Sequence, residues 1–300
     1  NEDGGGALPP SIITEPVSQT RAAGDTVFVE EPSYPYAFPI FRDHGLKIVG
    51  IPLDGAGMDL VECERQLALH RPKLLYTIPA YNNPTGQTLA RERRERLVDL
   101  GRTHGFIIAA DEVYQLLYHG APPPASFGTL IDRGNVLSLG SFAKILAPGL
   151  RLGWIQASAE LMRTLTASGV LVSGGNFNHF TSHVVRQLME NGELAPFVAR
   201  LRASYAARAE AMDQALRKHL AGTARWTKPA GGYFFWLELP AGMDAAGLQD
   251  AARAAGTGFL AGTACSTSGG LKNCLRLSFA HYSVPDIHEG IVRLGRALAR

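Results

Sequence analysis

The sequence is poor in cysteine and has no long apolar runs. Its 300 residues include 3 cysteines, Cys63, Cys265 and Cys274, and so few and scattered cysteines do not suggest a disulfide framework. No apolar run approaches the roughly 20 residues of a transmembrane helix. With 29 basic and 27 acidic residues, the net charge of +2 gives no electrostatic footprint for nucleic acid or a membrane surface. We therefore expect a cytoplasmic protein without a membrane span, whose present segment contacts no nucleic acid.

Lysines and closely spaced metal-ligating residues are also scarce. Six of the 29 basic residues are lysines, so a lysine in this chain is uncommon. His179 and His183 form a close histidine pair, at a spacing of four residues, and no third ligand accompanies them. Two candidate ligands are weak evidence for zinc, and we predict no metal centre.

The pattern of apolar residues predicts an α/β fold. Runs rich in Val, Ile and Leu alternate with helical stretches, as expected for buried strands of a parallel sheet. The predicted strands are Thr26–Glu30, Lys47–Leu53, Lys73–Pro79, Phe106–Asp111, Val136–Gly140 and Leu152–Ala157. The charge-rich start of the helix predicted from Leu89 to His104 alternates in sign, which favours a solvated face over a phosphate-binding patch.

The alternation of predicted strands and helices ends after Ala157, and helical sequence dominates from Ala159. Residues 193–220 are rich in Ala and Arg and contain no glycine, which predicts one long linking helix. Shorter strands and helices follow to the C-terminus. We therefore predict a three-layer domain with a mostly parallel central sheet over residues 1–192 and a smaller C-terminal α+β domain over residues 221–300.

Polar side chains follow three successive predicted strands. After the first comes Asn83, in Asn82-Asn83-Pro84-Thr85-Gly86, and the second ends at Asp111, with Tyr114 three residues later. After the third comes Ser141-Phe142-Ala143-Lys144, with Arg151 seven residues beyond the lysine. Ligands of open α/β sheets bind beyond the carboxyl ends of the strands. This inventory suits a ligand with an acidic phosphate, a basic ring nitrogen and an aldehyde.

The ordered set resembles the class I/II pyridoxal-phosphate aminotransferases of fold type I. The resemblance runs from about Gly24 to the C-terminus and is greatest to the aminoadipate and kynurenine aminotransferase branch. That branch includes the aminotransferase-like domains of certain bacterial regulators. Each motif alone is weak, whereas the set in this order at strand ends is specific.

The resemblance implies a cofactor, pyridoxal 5′-phosphate, and a role for each residue. Lys144 would form a Schiff base with the cofactor aldehyde and then move the substrate α-proton. Asp111 would pair with the pyridine nitrogen, although an aspartate after a strand also serves as a helix N-cap. Tyr114 and Asn83 would bind the phenolate oxygen, although Asn-Pro-x-Gly is also an ordinary turn sequence.

Five further residues complete the expected site. Ser141 and Arg151 would bind the phosphate, and Tyr34 would stack on the ring. Arg276, in Cys274-Leu275-Arg276-Leu277-Ser278, would bind the substrate α-carboxylate through two N–H groups, unless it is a solvent-facing strand arginine. Asn178 lies where this branch has a segment near the substrate.

The N-terminal region departs from the family pattern. Members have a Gly/Ser/Thr-rich turn that opens a helix and binds the phosphate. Here Pro9, Pro10 and Pro16 would break such a helix, which puts the phosphate-binding turn at residues 1–23 in doubt. The family's N-terminal segment is not found before this point, which suggests a fragment or a reduced gene.

We therefore predict an aminotransferase that acts on an amino acid and a 2-oxo acid, and by resemblance a homodimer. A C–S lyase or another eliminating enzyme would use the same cofactor and the same residues. A cofactor-binding effector domain, or an inactive paralogue, is the third possibility, and a winged-helix DNA-binding domain could precede Asn1.

Overall fold

The computed structural model describes residues 23–174 and 178–298. A seven-stranded sheet contains β1 to β7 in the spatial order β3-β2-β1-β4-β5-β6-β7. Its strands are β1 (Thr26–Glu31), β2 (Lys47–Asp54), β3 (Gly57–Met58), β4 (Pro72–Thr77), β5 (Ile107–Asp111), β6 (Val136–Ser141) and β7 (Gly153–Ala157). β2, β1, β4, β5 and β6 pair in parallel, and the two edge strands β3 and β7 are antiparallel. The predicted mostly parallel sheet is thus confirmed.

Side chains of the sheet alternate between two apolar cores. Along β1, Val27 and Val29 face one cluster and Phe28 faces the other, and all three are buried. This period of two is the geometry of a strand, and cores on both faces make a three-layer arrangement. Nearly continuous apolar runs are therefore the sequence signature of these strands.

Helices cover both faces of the sheet. They are α1 (Ala37–Asp43), α2 (Leu60–Leu69), α3 (Arg91–His104), α4 (Phe142–Ile145), α5 (Ala159–Thr166), α6 (Gly169–Gly174), α7 (His179–Glu190), α8 (Leu194–Leu220), α9 (Gln249–Ala254) and α10 (Val284–Leu298). α2 begins after Asp59, whose carboxylate accepts from the backbone N–H groups of Val61 and Glu62. α3 ends at Gly105, whose φ of 75° is the left-handed conformation that glycine adopts without strain. In the described part of the chain no helix is both long enough and apolar enough to cross a bilayer.

A smaller antiparallel sheet follows α8. It contains β8 (Arg225–Trp226), β9 (Phe234–Glu238), β10 (Leu260–Ala261) and β11 (Cys274–Ser278) in the order β10-β11-β9-β8. This confirms the smaller C-terminal α+β part of the fold. One apolar cluster includes residues of both sheets, among them Val29, Phe235 and Leu275. The exact domain boundaries at residues 192 and 220 stay a prediction.

The charged start of α3 is more than a solvated face. Arg91 and Arg96 are exposed, but Arg94 is 1% exposed and lies beneath them. Its guanidinium donates to the carbonyl oxygens of Leu89, Ala125 and Pro79 at 2.9 to 3.1 Å. Glu112 lies 3.7 Å away, so the buried charge has hydrogen bonds and a counter-charge. Sign alternation along the helix could not reveal this one inward-facing arginine.

Candidate active site

The expected residues lie at the carboxyl ends of neighbouring strands. β4, β5 and β6 are adjacent and parallel, so their carboxyl ends lie at one edge of the sheet. Asn83 follows β4, Asp111 is the last residue of β5, and Ser141 is the last residue of β6. The topology thus brings together three polar groups that are separated by about 30 residues each along the chain.

Lys144 is held by a short helix directly after β6. Ser141 caps α4, because its hydroxyl accepts a hydrogen bond from the backbone N–H of Ala143 at 3.1 Å. The hydroxyl of Tyr233 donates to the backbone carbonyl of Lys144 at 2.8 Å, and the ring of Tyr233 lies 5.8 Å from Nζ. The backbone at Lys144 is therefore fixed from both the large and the small sheet.

The surroundings of Lys144 favour its neutral amine. Partial burial lowers the pKa of Lys144, and the positive charges of Arg151 and Arg276 lower it further, against the opposing effect of Asp111. The charges of Asp111, Arg151 and Arg276 therefore all act on Lys144. A lysine with a lowered pKa can serve as a nucleophile and a base near neutral pH.

Asp111 is a desolvated carboxylate with specific donors. Burial raises its pKa, whereas the hydroxyl of Tyr76, the backbone N–H of Val113 and the charge of Lys144 lower it. The Tyr76 hydroxyl donates to Oδ2 of Asp111 at 2.7 Å. The sequence motifs did not single out Tyr76, because it lies inside the apolar strand β4.

Arg276 lies in β11 with its guanidinium directed toward the large sheet. Leu275 and Leu277 are buried on the other face of the strand, which confirms the alternation expected from the sequence. Nη1 of Arg276 donates to Oδ1 of Asn83 at 2.7 Å, and the guanidinium lies 4.2 Å from the ring centre of Phe234. Burial lowers the pKa of Arg276. The side chain is thus not a solvent-facing strand arginine.

Two tyrosines share this environment. Tyr114 is 3% exposed, and burial raises its pKa, as does the nearby charge of Asp111. Tyr34 is partly buried and contacts Tyr36 edge to face, with ring centres 5.6 Å apart. The charges of Asp111 and Arg276 also act on the pKa of Tyr34, so both phenols lie near the same two ionic groups.

Arg151 and Asn178 contact each other at the edge of this group. Arg151 is exposed and adopts a φ of 49°, an uncommon left-handed conformation for a non-glycine residue. Nδ2 of Asn178 donates to the backbone carbonyl oxygens of Leu150 and Arg151 at 2.6 and 3.0 Å. In this structure Asn178 therefore braces the Arg151 segment, and its contact with substrate stays a prediction.

Glu30 is a second residue that sequence reasoning missed. It is 2% exposed, and its carboxylate accepts from the hydroxyl of Thr77, the backbone N–H of Ile78 and Nδ2 of Asn82 at 2.6 to 2.9 Å. It therefore anchors the turn that holds Asn83. An acidic residue directly after the apolar run Val27–Val29 was the signal available in the sequence.

These residues fit the cofactor that the sequence resemblance implies. A carboxylate near a basic ring nitrogen, an amine near an aldehyde, and a hydroxyl with an arginine near a phosphate are complementary pairs. Asp111, Lys144, Ser141 and Arg151 supply this donor set at one edge of the sheet. Residues 1–23, where the sequence puts the family's phosphate-binding turn in doubt, lie outside the described residues except for residue 23.

Comparison with known proteins agrees with this chemistry. The family model "Aminotransferase class I and II" matches residues 17–294. The chain is 34% identical over 280 residues to aromatic-amino-acid aminotransferase 1 of Thermococcus litoralis, a match that spans 92% of this chain and 67% of that protein. It is 36% identical to the 2-aminoadipate transaminase of Thermus thermophilus, over 92% of this chain and 70% of that protein.

A solved structure shows the same fold. The α-aminoadipate aminotransferase LysN of Thermus thermophilus, complexed with N-(5′-phosphopyridoxyl)-L-leucine, superposes with a TM-score of 0.87 at 33% identity. The superposition covers 96% of this chain and 74% of that one.

The chain belongs to the class I and II aminotransferase family. It is a pyridoxal-phosphate-dependent aminotransferase, and its substrates are an amino acid and a 2-oxo acid. The resemblance, the cofactor and the reaction type expected from the sequence are thereby confirmed. The names of these two relatives favour transamination over the eliminating alternative.

Burial of Glu30 predicts a pH-dependent contribution to stability. Burial raises its pKa from the ordinary 4.5 to about 7, so the folded state holds this proton where the unfolded state has released it. Folding stability contributed by this group therefore falls by about 3 kcal/mol as pH rises from 4.5 to 7. We expect Glu30→Gln to remove that fall, since glutamine keeps the shape and cannot ionise.

Urea unfolding of both proteins at a series of pH values measures this difference. The stability of Glu30→Gln relative to the parent should increase as pH rises from 4.5 to 7. Glu92→Gln, at an exposed position of α3, controls for the loss of one formal charge. A stability difference that does not vary over that pH range would contradict the role assigned to Glu30.

Proposed function

We propose that the transamination takes place at the edge of the sheet where Lys144, Asp111 and Arg276 meet. This proposal is supported by the lowered pKa of Lys144. The amine lies near one opposite charge, that of Asp111, and two like charges, those of Arg151 and Arg276. An amine with a lowered pKa, beside a partly buried arginine and a partly buried carboxylate, suits the removal of a proton from an amino acid.

The side chains that would hold the cofactor divide by the part they bind. Lys144 would bind the aldehyde covalently, Asp111 would bind the ring nitrogen, and Tyr114 with Asn83 would bind the phenolate oxygen. The phosphate and the ring face would be bound by Ser141, Arg151 and Tyr34. When bound, pyridoxal phosphate supplies a carbonyl that takes up the amino group and a ring that stabilises negative charge at the α-carbon.

Proton transfer is assigned to Lys144. Its neutral Nζ accepts the α-proton of the substrate and later returns a proton. Partial burial and the charges of Arg151 and Arg276 keep this amine neutral at a lower pH than an exposed lysine would be. Asp111, in its ionised form, would hold a proton on the ring nitrogen of the bound cofactor.

Arg276 would select α-amino acids. A guanidinium presents N–H groups in a fork that matches two carboxylate oxygens, which a lysine cannot reproduce. In the structure its Nη1 binds Asn83, and Phe234 lies beneath the guanidinium plane. These two contacts orient the fork, so that a substrate carboxylate meets donors that are already in place.

Substrates with long or aromatic side chains fit this site best. The two similar enzymes act, by their names, on aromatic amino acids and on 2-aminoadipate. Tyr34 and Tyr36 form an aromatic pair beside Arg276, and Tyr36 is 68% exposed, so its ring is available to a substrate side chain. Comparison of phenylalanine, 2-aminoadipate and alanine as amino donors tests this ranking, and faster turnover of alanine would contradict it.

We propose that each subunit comprises a large domain of residues 1–192, a linking helix of residues 193–220 and a small domain of residues 221–300.

We also propose that two such subunits form a homodimer. The support is an exposed apolar stripe on α7, where Phe180 is 82% and Val184 is 42% exposed. Apolar patches of this kind mark protein contacts. Sedimentation velocity measures the assembly directly.

The anchoring role of Lys144 predicts a covalent product. Borohydride reduction of the protein with pyridoxal phosphate should fix a pyridoxyl group on the peptide that contains Lys144, found by mass mapping. Lys144→Ala should lose this adduct and reduce transamination by about 10⁴-fold or more, because both the anchor and the base are gone. Lys73→Ala, at the opposite end of the sheet, is the control and should retain both. An adduct on another lysine, with none on Lys144, would overturn the assignment.

A further inference from the structure

Tyr76 contacts a residue of the proposed site but has no role in the proposed mechanism. Its hydroxyl donates to Oδ2 of Asp111 at 2.7 Å, and the side chain is 7% exposed. Burial raises its pKa well above the ordinary value, so the phenol stays protonated and remains a donor. A buried donor fixed on a buried carboxylate is costly to leave unpaired, which suggests a specific purpose.

The parallel register of β4 and β5 brings the two side chains together. Tyr76 pairs with Ala109, and Asp111 lies two residues beyond Ala109. Because side chains alternate along a strand, Ala109 and Asp111 share the face on which Tyr76 also lies. The ring of Tyr76 contacts that of Phe41 edge to face, with centres 5.7 Å apart, which restricts where the hydroxyl can point.

Several charged and titratable groups act on Asp111. Lys144 favours its ionised form, and Glu112 opposes it. Glu30, Tyr34 and Tyr114 also interact with its charge. Burial is the largest influence on Asp111 and favours the neutral acid, so its ionisation depends on the donors that face it.

We propose that Tyr76 is a positioning residue that keeps Asp111 ionised and directs its free oxygen toward the cofactor ring nitrogen. This proposal rests on the role proposed for Asp111 above. The phenol donates to one carboxylate oxygen and restricts rotation of the carboxylate. A neutral Asp111 could not hold a proton on the ring nitrogen, so loss of the phenol weakens both cofactor binding and the subsequent proton removal.

Tyr76→Phe removes the hydroxyl and keeps the ring against Phe41. In the cofactor-free protein, the carboxyl infrared band of Asp111, identified by its loss in Asp111→Asn, should titrate at a higher pH in Tyr76→Phe. The dissociation constant for pyridoxal phosphate should rise by about tenfold to a hundredfold, the worth of one hydrogen bond to a charged group. In the Asp111→Asn background the same substitution should have little further effect on that constant.

Tyr205→Phe is the matched control. Tyr205 is also a buried tyrosine, and its hydroxyl lies 3.5 Å from that of Tyr233 rather than against Asp111. It should leave the Asp111 band unchanged. If Tyr76→Phe does not fold, 3-fluorotyrosine at position 76 supplies a second variant, because its more acidic phenol is a stronger donor and should lower the pH at which Asp111 titrates.

An Asp111 band that titrates at the same pH in the parent and in the altered proteins would overturn the proposal. So would a cofactor dissociation constant that Tyr76→Phe leaves unchanged. If either result is obtained while borohydride still fixes the adduct on Lys144, only the positioning role of Tyr76 is refuted. Absence of the adduct in the parent protein would instead refute the proposed site.

Discussion

The parallel pairing of β4, β5 and β6 is the constraint on which the site depends. Parallel strands place all their carboxyl ends at one edge, so residues far apart in sequence converge without any long-range side-chain contact. Asn83, Asp111 and the Ser141–Lys144 segment each follow directly from a strand end. A shift of one residue in register would turn Asp111 to the other face, since successive side chains alternate.

Burial at this edge sets the chemistry of the charges. It destabilises the charged forms of Asp111, Lys144 and Arg276 alike, so each depends on its neighbours. Asp111 accepts hydrogen bonds and is attracted by the charge of Lys144. Beyond the effect of burial, the positive charges of two arginines lower the pKa of Lys144. One environment thereby directs hydrogen-bond donors at the Asp111 carboxyl group and lowers the pKa of the Lys144 amine.

Sequence reasoning recovered the strands and helices because their signals are local. In the large sheet, apolar β-branched runs predicted the bounds of each strand that ends at the site to within two residues. The long helix α8 begins one residue later than predicted. Tyr76 and Glu30 were missed because they lie within or beside apolar runs, and Arg94 was missed because it lies in a run of charged residues. Only the packing of separate elements shows which polar group each of them contacts. The backbone contact of Asn178 with Arg151 was hidden for the same reason.

We infer that pyridoxal phosphate binds at this edge of the sheet and that Lys144 anchors it there. A crystal structure of the protein grown with pyridoxal phosphate would test this inference. We expect continuous electron density from Nζ of Lys144 to the cofactor, with the ring nitrogen against Asp111 and the phosphate against Ser141 and Arg151. A free Lys144 amine, with the cofactor bound elsewhere or with its ring nitrogen turned away from Asp111, would contradict the inference.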